Sequence, residues 1–177
     1  NNSVLPIGKE KKVIIIGELA RQMRFQGGGS SHIQPTEMTN AIEAIREKGY
    51  QVTYIQGYQN EKEELGEKQL QDTIEKLKQE YRKKDCVILY FIGLTESYEG
   101  EGYDRKNLKI PQNQEKLLAE IAETVGKDNI AAISFGGAPM DFSFEKNVGA
   151  ILHMYIGGQA VGESVADLIS GEVNPSG

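Results

Sequence analysis

Five short apolar runs alternate along this chain with segments of helical period, and that alternation limits the fold more than any other feature. "KKVIIIG" (11–17), "YQVTYIQ" (50–56), "CVILYFIG" (86–93), "NIAAISFGG" (129–137) and "GAILHMYIGG" (149–158) read as strands. Between them, apolar residues recur three and four apart. Met38, Ala41, Ile42 and Ile45 share one face, with Thr36 as the expected cap and Gly49 as the stop. Leu70, Ile74, Leu77 and Tyr81 share a face within 67–84. Leu117, Leu118, Ile121, Ala122 and Val125 form a third such face, and Val161, Val165, Leu168 and Ile169 a fourth. Near-continuous apolar strands are buried on both sides, so the pattern predicts an α/β three-layer sandwich. Its mostly parallel sheet would hold five or six strands with helices on both faces, as a single domain over 1–177.

Four of the runs end at glycine (Gly17, Gly93, Gly136, Gly157), and polar loops follow them. Ligands of open parallel sheets gather beyond the carboxyl ends of the strands. The two unusual loops, 18–35 and 94–111, are therefore expected on one functional rim. The net charge of −6 offers no basic stripe for nucleic acid. No apolar stretch is long enough to span a membrane. The single cysteine, Cys86, lies inside an apolar run and reads as a core residue; one cysteine permits no internal disulfide and points to a reducing, cytoplasmic compartment. The abrupt first and last residues suggest a piece of a longer protein.

The first loop contains "RFQGGGSSHIQP" (24–35). Its glycines allow close backbone approach to a ligand. They come ten residues after Gly17, and no Gly-Lys-Ser/Thr follows, so neither nucleotide-binding glycine pattern is met. A flexible surface loop and a loop whose NH groups and hydroxyls (Ser30, Ser31) touch a neutral polyol both fit; His32 is a further candidate to hydrogen-bond such a ligand. The second loop crowds Glu96, Glu99, Glu101 and Asp104 into ten residues, followed by Arg105. The calcium-loop pattern is absent. Two readings stand on spacing alone: a solvated acidic loop, or a carboxylic acid used as a proton donor, its pKa raised by neighbouring negative charge. Gly100 and Gly102 would let Glu101 point outward, and Arg105 is placed to pair with Asp104 and orient the loop. His153 and Met154 read as strand-end packing. Tyr103 and Tyr155 suit either packing or the apolar face of a ligand. Two histidines and one cysteine, far apart, give no metal-ligand spacing, and no cofactor is expected.

"QGGGSSHIQP", "ESYEGEGYDRKNLKIPQNQEKL" and "AILHMYIGGQAVGESVADLISGEVNPSG", in that order, resemble the C-terminal α/β sandwich domain of family 3 glycoside hydrolases, the β-glucosidase-like enzymes. The resemblance implies a retaining glycosidase acting on terminal β-linked sugars. Its N-terminal (β/α)8-type barrel, absent from these residues, would hold a nucleophilic aspartate. The same resemblance assigns the general acid/base to Glu101, with Glu99 as the fallback, and brings Ser30 near the bound sugar. A retaining enzyme sets two carboxyl groups about 5–5.5 Å apart, one attacking the anomeric carbon and the other protonating the leaving oxygen. Since 177 residues cannot hold both domains, this stretch alone is expected to be inert. Two competing readings remain: a noncatalytic sugar-site domain with the proton donor elsewhere, and a stand-alone flavodoxin-like nucleotide or flavin module. The latter lacks the phosphate loop it would require directly after the first strand.

Overall fold

A computed structural model describes residues 3–83 and 85–176. Five strands, β1 (Lys12–Ile16), β2 (Gln51–Ile55), β3 (Cys86–Gly93), β4 (Ile130–Phe135) and β5 (Ala150–His153), form one sheet in the order β2-β1-β3-β4-β5. Every pairing is parallel. The helices are α1 (Ala41–Glu47), α2 (Glu67–Glu80), α3 (Gln112–Val125) and α4 (Val161–Ser170). The three-layer α/β sandwich expected from the alternation is what forms.

Strand periodicity divides the core in two. Val13, Ile15, Val87, Leu89, Phe91, Ala131 and Ile133 pack with Ala41, Ile45, Val161 and Val165 of α1 and α4. Ile14, Ile16, Ile88, Tyr90, Ile92 and Ala132 pack on the other face with Leu70, Leu77, Leu117, Leu118 and Ile121 of α2 and α3. All eight residues of β3 are buried, as a central strand covered on both faces must be. Cys86 is buried among them.

Three local expectations change. The cap of α1 is Asn40 rather than Thr36: the Asn40 side chain accepts from the Glu43 NH at 3.0 Å. Residues 36–40 are non-helical, which leaves Met38 40% exposed instead of on the packed face. Helix α2 stops at Glu80 because Tyr81 turns extended (φ −79°, ψ 131°). Strand β5 ends at His153, well before 158, because Tyr155 takes a left-handed φ of 53° and the chain leaves the sheet.

The strand order reverses at β1, whose neighbours β2 and β3 lie on opposite sides. The crevice at the carboxyl ends of β1 and β3 is thus the switch point where such sheets bind ligands. Strand β3 runs three residues past its last pairing with β1, at Tyr90 opposite Ile16. Near that end the Gln114 side chain stands in for a missing strand. Its amide accepts from the Gly93 NH at 2.7 Å and donates to the Gly93 carbonyl at 3.1 Å. Gln114 is itself completely buried. The acidic loop departs one residue later.

Candidate active site

The loop after β3 is tied down at several points. The Tyr98 and Glu99 NH groups both donate to the Thr95 carbonyl, closing a helical turn. Glu101 and Gly102 are then the central residues of a tight turn closed by a bridge between Gly100 and Tyr103. Gly102, with φ 88°, supplies the positive φ that the second central position of such a turn requires. The Tyr103 hydroxyl donates back to the Glu96 carbonyl. Glu101 consequently sits at the tip of the turn, exposed.

Glu101 and Glu99 occupy opposite environments. The Glu101 carboxylate accepts from the NH of Ser30, at 2.9 Å, and from the Ser30 hydroxyl. These two donors, the hydroxyl first, hold its carboxyl below the usual range, so the domain by itself presents Glu101 as an ionised group. Glu99 turns inward. One of its oxygens accepts from the Gly137 NH at 2.6 Å and the other from the Ala138 NH at 2.9 Å. Only 10% of its side chain is exposed, and the buried guanidinium of Arg24 lies 3.6 Å away.

The two loops meet closely because Gly29 lies against Glu101. A Cβ on Gly29, whose φ is 86°, would lie 2.9 Å from both Cβ and Oε2 of Glu101. A single 3-10 turn over Gly29–Ser31 aims the Ser30 NH and hydroxyl at the carboxylate. The Ser31 side chain lies outside the described part of the structure. His32 also joins the two loops, its Nε2 2.8 Å from Glu96 Oε2.

Arg105 reaches the Pro139 carbonyl instead of pairing with Asp104. It therefore ties the acidic loop to the segment after β4, while Asp104 stays at the exposed outer side. The expected Asp104–Arg105 pair does not form because that carbonyl draws the guanidinium across the rim. Sequence reasoning missed Arg24, which is 5% exposed and reaches both the Glu99 carbonyl oxygen, at 3.3 Å, and the Glu96 carboxylate, at 3.7 Å. It also missed the Gly137 and Ala138 NH groups. The one available signal was "FGGAP" directly after a buried strand, on the same rim. His153 accepts or donates at Nδ1 to the Ser134 hydroxyl, 2.9 Å away. Burial, ahead of any other influence, pushes its pKa down. Among the described residues no cluster of His, Cys, Asp and Glu could hold a metal ion, and no helix is long and apolar enough to cross a membrane.

The whole stretch, residues 1–177, matches the model of the glycosyl hydrolase family 3 C-terminal domain. It is 36% identical over 179 residues to thermostable beta-glucosidase B of Acetivibrio thermocellus, covering 99% of this chain and 23% of that protein. It is also 36% identical over 172 residues to an exo-alpha-(1->6)-L-arabinopyranosidase of Bifidobacterium longum, covering 97% of this chain and 22% of the relative. Among solved structures, a GH3 beta-glucosidase of Bifidobacterium adolescentis superposes with a TM-score of 0.87 at 35% identity. That match covers all of this chain and 25% of the larger one. The chain thus spans about a quarter of the length of the relatives it matches.

Proposed function

This chain belongs to the glycosyl hydrolase family 3 C-terminal domain family, and from that premise we propose that it completes the active site of a retaining β-glycosidase, with Glu101 as the general acid/base. Its partner in this reading is an N-terminal barrel domain of the same protein bearing the attacking carboxylate. The substrate is a terminal β-linked glycoside. Relatives at the same 36% identity are named for a glucosidase and an arabinopyranosidase, so the choice of sugar is assigned to the barrel rather than to this domain.

One observation carries the reading. Of Glu99 and Glu101, the two carboxylates the loop offers for this role, only Glu101 is free to meet a substrate. It stands exposed at the turn tip, held by one neighbour, while both oxygens of Glu99 are engaged by backbone NH groups inside the protein. In the reaction, one carboxylate attacks the anomeric carbon as Glu101 protonates the departing oxygen. Glu101 then takes a proton from the water that releases the sugar. That role needs a carboxyl protonated at the start. The Ser30 bonds oppose this in the free domain, and two changes on assembly reverse it. The negative charge of the attacking carboxylate raises the pKa of Glu101, and a sugar hydroxyl competes for the Ser30 donors. Ser30 thereby exchanges one oxygen partner for another, and His32 lies beside it on the same rim.

The test compares the full-length enzyme with its Glu101→Gln variant on two aryl β-glycosides, one with a good and one with a poor leaving group. General acids contribute roughly 10²–10⁴-fold. The expected result is a loss in kcat/KM of that order, concentrated on the poor leaving group. The second reading, a sugar-site domain without a catalytic group, is favoured by the ionised state of Glu101 in the free domain. Near-parental activity of the variant on both substrates would establish it.

A further inference from the structure

We infer that Glu99 and the buried guanidinium of Arg24 form a positioning pair that holds the acidic loop so that Glu101 is presented at the rim; the inference rests on Glu101 being the acid/base. Three observations converge on it. First, Glu99 is out of a substrate's reach but fully engaged: its two oxygens take the NH groups of Gly137 and Ala138, fastening the loop after β3 to the loop after β4. Second, Arg24 reaches Glu99 twice. It lies 3.6 Å from the carboxylate and donates to the backbone carbonyl at 3.3 Å, fastening the same residue to the loop after β1. Third, Glu101 follows only two residues later, so any shift of Glu99 moves the turn that carries the acid.

The charges make this a paired device. Arg24 has only 4% of its side chain exposed, and its Nε and Nη1 have no hydrogen-bond partner among the described residues. Its charge is balanced by Glu99 at 3.6 Å and by the half-exposed Glu96 at 3.7 Å. Removing the Glu99 charge leaves a buried cation undercompensated. In a Glu99→Gln variant, an amide NH2 also replaces one oxygen and meets a backbone NH head-on, donor against donor. The loop is expected to loosen from the loop after β4 without losing its shape entirely. Misplacement by about 1 Å at a reacting group is enough to lower a rate on the order of 10²-fold.

Full-length enzyme variants Glu99→Gln, Arg24→Lys, Glu101→Gln and the double Glu99→Gln/Glu101→Gln test the idea. The readout is kcat/KM on glycosides with good and poor leaving groups. Arg24→Lys keeps the charge but loses the fork that reaches the Glu99 carbonyl, and it serves if Glu99→Gln does not fold, as judged by circular dichroism. The expected result for each of these two single variants is a loss of roughly 10–100-fold on the poor leaving group, with a much smaller loss on the good one. The double variant should match Glu101→Gln alone, because a positioning residue has nothing left to position. Losses that multiply in the double variant would overturn the inference. So would parental behaviour of both Glu99→Gln and Arg24→Lys beside an impaired Glu101→Gln, and that pattern would leave the reading of Glu101 intact. A parental Glu101→Gln would remove that reading, and this inference with it.

Discussion

Replacing Gln114 by leucine should be among the most destabilising single changes available at the rim. The side-chain amide occupies the place of a peptide unit on a strand that β1 is too short to provide. It satisfies both the NH and the carbonyl of Gly93, at 2.7 and 3.1 Å, in a completely buried site. Leucine is similar in volume but satisfies neither group. An orphaned buried donor or acceptor costs about 1–3 kcal/mol, so the two together cost about 2–6 kcal/mol. Burying leucine in place of an amide returns on the order of 1 kcal/mol. The hydroxyl of Tyr90 bonds the backbone carbonyl of residue 114 and does not change with the side chain. A net loss of about 1–5 kcal/mol is therefore expected in urea denaturation of the domain, read as a lower midpoint at constant slope. Gln114→Glu adds a sign test. One of its oxygens must face the Gly93 carbonyl, so the buried carboxyl would be held protonated, with its pKa above the unfolded value. Its stability would be present at acid pH and lost as pH rises past about 4.3, the ordinary glutamate value. A loss below about 1 kcal/mol in Gln114→Leu, or a Gln114→Glu variant indifferent to pH, would refute the strand-mimic account.

Two further outcomes follow from the same geometry. Ser30→Ala removes the hydroxyl bond that does most to depress the Glu101 carboxyl, so its pKa should rise toward the ordinary glutamate value, measured by carbon NMR of the labelled side chain in the isolated domain. The stabilisation tied to that depression is present above the unfolded pKa and is lost as pH falls through the folded one. Ser30→Ala should accordingly flatten the acid side of the stability profile. Asn40→Ala removes the cap on the Glu43 NH and should cost about 1 kcal/mol, lowering Tm by roughly 2–4 °C in thermal denaturation; no change would mean that water replaces the cap.

The sheet and its helices were legible because burial writes its period directly into the residues. Ile14 and Ile16 face one layer, Val13 and Ile15 the other, and an apolar run such as 86–93 has few alternatives to a central strand. Boundaries were less legible where two local signals competed. Thr36 and Asn40 can both cap a helix; the helix begins at Ala41, so it is Asn40 that takes the Glu43 NH. Tyr155 gave no warning that β5 would end early, since a non-glycine residue with φ 53° has no distinctive sequence mark. At the site, the two rim loops were located from the glycines that end their strands. The inward turn of Glu99 was not, because its partners lie 38 and 39 residues away and nothing in "EGEGYDR" separates an anchored glutamate from a presented one. The Arg105 contact with Pro139 was illegible for the same reason.

The anchoring of Glu99 also fixes how far the next glutamate can travel. Two fully extended residues measure about 7 Å, so with Glu99 moored to the loop after β4 the backbone of Glu101 is on a tether of no more than that length. A retaining site requires its two carboxyl groups to stand about 5–5.5 Å apart. In the proposed reading, a partner domain must therefore bring the other carboxylate to a turn that the Gly100–Tyr103 bridge and the Ser30 bonds already hold in place. On that reading the short leash sets an outer limit: a docking error larger than the tether cannot be absorbed, so the spacing of two glutamates bounds how far the two domains can be misplaced.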